Sequence, residues 1–322
     1  MVFCSPGIPD HLNQHLQAGI RLRREGYRGR FAPSPTGDLP LGNLSTALAS
    51  WLEARCNSGA WLLRIDDLDT PRNRSWAPSS IQNDLQWLGL HWDGPVILQS
   101  QRRGTYHACL SWLRRTHRLF ACRCSRRMLV GSSFYPGTCR DREHSWGWSE
   151  GRLPSWRLRV PCNDPHQSGD VVLRRADGFV AYQLATVIDE LCFGITDVVR
   201  GDDLREALPA QLSVFDALAS SPPHFRHVPV IRDAAGRKLS KREASAGLAP
   251  LKEAGMDAAA VIGRLAAARE ARPPDLSPSR RPRLATEEGS PSPSTPTRAP
   301  AGSRRSSSPP PQPTPPPLAH RP

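Results

Sequence analysis

The chain has 322 residues, a formal net charge of +13 and 33 prolines, about half of which lie beyond Arg272. No apolar run approaches the roughly 18 residues that a membrane span needs. Residues 1–27 carry scattered charges and no apolar h-region, so they do not make a signal peptide; a cytoplasmic protein is expected. Eight unevenly spread cysteines are not the framework of a small disulfide-rich secreted domain and fit a metal site better.

The positive charge points to a polyanionic partner, although part of it sits in the arginines of the last fifty residues. There the chain reads PPDLSPSRRPRL, SPSPSTPT and SSSPPPQPTPPP. Almost no aromatic or β-branched residues are available to offset ordering entropy, so 271–322 is expected to be a disordered tail. That leaves a folded body of about 240 residues, enough for a sizeable core.

Residues 1–27 are expected to form a flexible extension. Arg28 to Ala32 reads as a strand, followed by the Pro- and Gly-rich loop PSPTGDLPLG. Leu44, Leu48, Trp51 and Leu52 recur at helical spacing up to Cys56. Ala60 to Ile65 is nearly continuously apolar, as in a strand buried on both faces of a parallel sheet. A helix over 79–88 and a strand over 96–99 follow. This alternation predicts an α/β domain with a parallel sheet, its first half spanning 28–119.

Residues 120–182 break the pattern. They are rich in Cys, Arg and Trp, with strand-like 156–160 and 170–174, and read as an inserted module. Alternation resumes over 183–235 with a helix at 184–191, a strand at 197–200 and a helix from Leu208. Residues 236–270 hold a basic loop and a last helix, 258–269.

Three stretches carry chemistry. The loop 33–43 joins a strand to a helix, where free backbone N–H groups and the helix dipole favour an anion. Lys238-Leu239-Ser240-Lys241-Arg242 puts three cations in five residues; mobile lysines suit charge developing at phosphorus. Cys122, Cys124, Tyr135 and Cys139 offer three thiols and a phenol within eighteen residues; zinc favours sulfur-rich four-coordinate sites, although tyrosine is an unusual ligand. His117 and His144 lie near enough in sequence to compete for the fourth place. Alone, each loop is compatible with ordinary solvated surface, and the thiols with small buried side chains.

Together, and with Arg64-Ile65-Asp66-Asp67-Leu68-Asp69-Thr70-Pro71-Arg72 between them, the motifs resemble the class I glutamyl-tRNA synthetases over residues 28–268. Arg30-Phe31-Ala32-Pro33-Ser34-Pro35-Thr36-Gly37 resembles their opening motif. Leu41-Gly42-Asn43 stands in the place of the HIGH-type motif, and Lys238 to Lys241 resembles the KMSK loop. The resemblance implies a Rossmann-type parallel-sheet catalytic domain. It implies a glutamate site at Arg30, Phe31, Ala32, Pro33, Ser34, Asp66, Tyr182 and Arg200. ATP, with Mg²⁺, would bind at Leu41, Gly42, Asn43, Lys238, Leu239, Ser240 and Lys241, with Lys241 and Lys238 stabilising the phosphoryl transition state.

The Cys122–Cys124–Tyr135–Cys139 set is similar to the structural zinc site of the short paralogues, the glutamyl-queuosine tRNA(Asp) synthetases. Those paralogues lack the anticodon-binding domain, and here the Pro-rich tail begins about 30 residues after Lys241. The implied reaction is tRNA-independent activation of L-glutamate as an adenylate and its transfer to the queuosine base of tRNA(Asp), by a monomer with no membrane partner. Arg123, Arg126, Arg127, Arg140 and Arg142 are candidates for RNA phosphate contacts, or a solvated rim.

The chain departs from the pattern at Pro40, which replaces the HIGH-type histidine and has no N–H to donate, and at Asp66, where many relatives carry Glu. A truncated synthetase charging the acceptor end, and a glutamate- or RNA-binding remnant without catalysis, are the alternatives.

Overall fold

The structure is a computed structural model that describes residues 7–125, 127–130, 134–149, 151–229 and 247–270. The basic loop 238–242 and the Pro-rich tail lie outside the described residues.

Three strands form a parallel sheet in the order β1–β2–β3: β1 (Arg28–Phe31), β2 (Ala60–Ile65) and β3 (Ile97–Leu98). Two helices make the crossovers that parallel neighbours require, α2 (Leu41–Cys56) and α3 (Ala77–Trp87). A second parallel pair, β7 (Asp197–Gly201) and β8 (His224–Val228), is crossed by α6 (Leu208–Ala217). It starts beside β1, where the Thr196 amide donates to the Arg28 carbonyl and the Arg28 amide to Thr196 Oγ1. β2 is buried from Trp61 to Ile65, as its unbroken apolar run requires.

Between the halves the pattern changes. After α4 (Arg103–Arg115), the strands β4 (Leu119–Cys122), β5 (Ser155–Leu158) and β6 (Val172–Arg174) form an antiparallel sheet. α5 (Tyr182–Cys192) then returns the chain to β7. Tyr182 therefore opens a helix. It does not close the preceding segment, in which the sequence reading had put it.

Two apolar clusters hold these layers. One gathers α2, α3, β1 and β2 with Leu248, Val261 and Leu265 from the last described segment, which carries α7 (Ala249–Glu253) and α8 (Ala258–Glu270). The other gathers α4, α5, α6 and the antiparallel sheet.

Two differences from expectation have clear physical causes. α2 begins at Leu41, three residues before its first apolar repeat, because Pro40 sits at the N-cap position with φ −57° and ψ 150°. Its carbonyl accepts from the Asn43 and Leu44 amides, and a missing N–H costs nothing at a helix start. The N-terminal stretch is also not a loose extension: Asp10–Leu22 form α1, whose Leu12 and Leu16 are buried in the second cluster. Helix α1 lies so close to α5 that a Cβ on Gly19 would stand 1.7 Å from the Leu191 carbonyl oxygen. Its Leu12, Leu16 and Ile20 recur at helical spacing among polar side chains, an amphipathic signal that the sequence reading passed over.

Candidate active site

The carboxyl ends of β1 and β2 and the start of α5 enclose a cavity of about 420 Å³. In open parallel sheets, ligands collect outside the carboxyl ends of the strands. Its lining includes Ala32, Ser34, Asp66, Gln99, Phe179 and Tyr182, with Asp69, Arg72 and Arg175 among the others.

Strand alternation sorts the opening motif. Arg30 and Ala32 face the site side, whereas Phe31 points the other way, into the core, stacked on Trp61 with ring centroids 6.2 Å apart. The expectation that Phe31 contacts a ligand is therefore corrected for its side chain. Pro33 is likewise buried and does not line the cavity; its carbonyl accepts from the Asp66 amide at 2.9 Å, which fixes where Asp66 sits. Arg30 and Arg200 do not line the cavity either and lie buried behind it.

Behind the cavity three arginines and three carboxylates form one buried, charge-balanced network. Arg30 Nε donates to Glu190 Oε1 at 2.9 Å, and Arg64 Nη1 lies 3.5 Å from the same oxygen. Arg64 Nε donates to Asp66 Oδ1 at 2.7 Å. Asp189 accepts from Arg102 Nε, Gln99 Nε2 and the Tyr106 hydroxyl. Burial opposes the Arg64 charge, but Asp66, Glu190 and Asp189 together push its pKa well above the usual guanidinium value. Burial raises the Asp66 carboxyl to about 6, with Arg64 pulling it back. Asp66 is thus a carboxylate at neutral pH, almost wholly buried yet lining the cavity: a natural seat for an ammonium group.

Arg200, on β7, is held differently. Its Nε donates to His227 Nε2 at 3.0 Å and its Nη1 to Gln211 Oε1 at 2.7 Å. The Phe225 ring lies under the guanidinium at 4.8 Å, and Tyr182 lies beside it. Nη2 is buried without a hydrogen-bond partner among the described residues. Burial and the neighbouring Arg200 charge pull His227 down to about 4, so its ring is neutral and can accept.

The start of α2 follows the loop that carries the cavity-lining Ser34 and Thr36. Gly42 is open: a Cβ there would meet nothing within 4 Å. Leu41 and Gly42, in the first turn, have no intrahelical acceptor for their amides, as at any helix start, while Asn43 is exposed. Lys238, Leu239, Ser240 and Lys241, the expected partners of this helix start, lie outside the described residues.

A separate cluster stands at the edge of the antiparallel sheet. The Sγ atoms of Cys122, Cys124 and Cys139 lie within 4.8 Å of one another, with 3.6 Å between those of Cys124 and Cys139. The Tyr135 hydroxyl is 3.4 Å from Cys122 Sγ and 3.7 Å from Cys124 Sγ. With Zn–S bonds of about 2.3 Å, tetrahedral geometry puts ligand atoms roughly 3.8 Å apart, so this donor set fits a zinc ion. Burial works against the Cys122 thiolate, but hydrogen bonds from Tyr135, the Cys124 backbone and Arg157 hold its pKa down at about 7. Neither His117 nor His144 joins the group among the described residues.

The candidate RNA arginines do not behave alike. Arg123 is buried and donates to the carbonyls of Ser145, Gly147, Ser149 and Arg152, so it organises a loop and is unavailable to phosphates. Arg140 pairs with Asp170. Arg127 and Arg142 are exposed, and Arg126 lies outside the described residues. The sequence reading missed Arg64, Asp189, Glu190, Gln211 and His227. An arginine inside the apolar run AWLLRI and paired acids inside the apolar helix YQLATVIDELC were the available signals, since buried charges need partners.

A family model described as tRNA synthetases class I (E and Q), catalytic domain, matches residues 27–130 and 158–266. The glutamyl-Q tRNA(Asp) synthetase of Synechococcus sp. (strain CC9605) is 71% identical over 260 residues, which cover 80% of this chain and 89% of that protein. That of Chromobacterium violaceum is 47% identical over 239 residues, 67% of this chain and 78% of that protein. Among solved structures, the glutamate tRNA ligase of Elizabethkingia meningosepticum in complex with its amino acid superposes with a TM-score of 0.56 at 27% identity. It covers 67% of this chain, which spans about half (52%) of that ligase's length. No helix among the described residues is long and apolar enough to cross a membrane.

Proposed function

The chain belongs to the class I tRNA synthetases (E and Q) and, within them, to the glutamyl-Q tRNA(Asp) synthetases; on that premise we propose how its residues carry the reaction. It is an ATP-dependent ligase that activates glutamate and transfers it to queuosine in tRNA(Asp). In the first step an α-carboxylate oxygen of glutamate attacks the α-phosphorus of ATP, the bond to the bridging oxygen breaks, and pyrophosphate leaves. In the second, a hydroxyl of the queuosine ring attacks the acyl carbon, AMP leaves with the electron pair of the acyl–phosphate bond, and the hydroxyl proton passes to solvent.

The observation that carries the amino-acid site is the pairing of one cavity-facing carboxylate with one guanidinium whose charge is only partly offset. Asp66 takes the ammonium group. Arg200, with Tyr182 beside it, takes a carboxylate through Nη2, and Ser34 and the β1 backbone close the rim. The α-carboxylate must stay free to reach phosphorus, so the side-chain carboxylate is the group for Arg200 to hold. ATP lies over Leu41, Gly42 and Asn43, where the helix start favours phosphate. Lys241 and Lys238 would stabilise charge on the phosphates, and Mg²⁺ bound with the nucleotide would neutralise part of it. Catalysis is positioning and electrostatics, with no general base required.

The thiol cluster holds one structural zinc through Cys122, Cys124, Tyr135 and Cys139. Bound there, zinc supplies a cross-link between β4 and the following loop.

Glutamate-dependent exchange of pyrophosphate into ATP tests this reading. Exchange is expected without tRNA and with wild-type Pro40, and Arg200→Gln should raise the glutamate KM by at least about 30-fold, as when one partner of a buried charge pair is removed. An absence of exchange by the wild-type chain would sink it.

A further inference from the structure

Buried arginines usually meet carboxylates, and those in the network behind the cavity obey the rule: Arg30 has Glu190, Arg64 has Asp66, and Arg102 has Asp189. Arg200 is only 2% exposed, yet the Gln211 amide and the His227 ring that accept from it are both neutral, and its further neighbour is the Tyr182 hydroxyl. Glu190, the one carboxylate that acts on it, is held through Oε1 by Arg30 and Arg64 and makes no hydrogen bond to Arg200, so it offsets that charge only at a distance. Phe225 covers one face of the guanidinium at 4.8 Å. The group is therefore fixed in orientation on two edges while its charge is only partly offset, by Glu190 and Tyr182, in a medium where charge is strongly felt.

We infer that Gln211 and His227 are positioning residues whose neutrality reserves the Arg200 charge for the side-chain carboxylate of the amino acid, and so separates glutamate from glutamine. A Glu in place of Gln211 would make the same hydrogen bond with the same reach, a Glu in place of His227 would offer an acceptor there, and either would stabilise the empty protein better. It would also satisfy Arg200 before any substrate arrived. At neutral pH glutamate carries one net negative charge and its isostere glutamine carries none. Shape cannot tell them apart, whereas an unpaired buried cation can. A buried charge that is only partly offset is unfavourable for folding, and such local violations are characteristic of functional sites.

This inference rests on the assignment of Arg200 as a glutamate ligand. The test compares Gln211→Glu, His227→Glu and His227→Gln with the wild type and with Arg200→Gln, in pyrophosphate exchange driven by glutamate and by glutamine. Gln211→Glu and His227→Glu are expected to raise the glutamate KM by at least about 30-fold. Both should lower the preference for glutamate over glutamine at least tenfold, with the KM for ATP nearly unchanged and the melting temperature not lowered. His227→Gln, which keeps a neutral acceptor, should stay within about fivefold of wild type, the loss of a hydrogen bond's geometry and little more.

His227 is a half-buried strand position, so its variants report even where Gln211→Glu fails to fold. If both carboxylate variants keep the wild-type KM for glutamate, or if His227→Gln is as damaged as His227→Glu, the inference is overturned while the site assignment stands. If Arg200→Gln itself leaves the glutamate KM intact, the assignment falls, and the inference with it.

Discussion

At the scale of single residues, the site is a set of charges whose balance is deliberate in its effect. Asp66 shows it in a titration. Burial raises its carboxyl to about 6, above the usual aspartate value. Ionising Asp66 therefore works against folding above that pH, and the penalty is relieved as pH falls toward the unfolded value. Glutamate binding runs the other way, because only the carboxylate can face an ammonium. Between pH 7 and pH 5 the ionised fraction falls about tenfold, so the glutamate KM should rise by about that factor with no loss of stability from this group. Steady-state exchange across that range checks it; a flat profile would remove Asp66 from the ammonium contact. Of the residues expected at the site, Ala32, Ser34, Asp66 and Tyr182 line one cavity, and Arg30 and Arg200 lie buried outside its lining. Phe31 was misplaced because a contiguous motif was read as one surface, whereas a strand turns alternate residues to opposite faces. Gln211 and His227 carry no motif at all; only the register of β7 against β8 puts His227 opposite Arg200.

At the scale of elements, α1 and the thiol cluster are where the sequence reading took least from local pattern. The strand and helix positions of the parallel half follow from apolar runs and periodicity, which a core enforces on both faces. Helix α1 has one narrow apolar stripe, and its close contact depends on a glycine that no periodicity flags. Gly19→Ala forces a methyl group against the Leu191 carbonyl and should cost about 1–3 kcal/mol, the range for overpacking. A drop of several degrees in melting temperature is expected, and an unchanged melt would mean that α1 is not docked as described. The cysteine cluster was visible as spacing, which left Tyr135, His117 and His144 open as its fourth member; the family resemblance pointed to Tyr135, and folding brings that phenol to the thiols and neither histidine. Metal analysis of the purified protein should find one zinc per chain. Cys139→Ser should lose most of it, and Tyr135→Phe should weaken retention against a chelator. Zinc held equally well by Tyr135→Phe would exclude the phenol as a ligand.

For the molecule as a whole, the fold puts a cavity at the carboxyl ends of the parallel strands, a helix start suited to phosphate and a separate thiol cluster in one chain. The parallel half is set by hydrophobic pattern and was readable; the antiparallel sheet between its halves, built on β4, β5 and β6, was recognisable chiefly as an interruption. The central claim is a transfer reaction, and attachment of labelled glutamate to purified tRNA(Asp), with and without queuosine, tests it most directly. The account predicts label only on the queuosine-containing tRNA, in the presence of ATP. Label on both tRNAs, or on the one lacking queuosine alone, would contradict it and place the glutamate on the acceptor end.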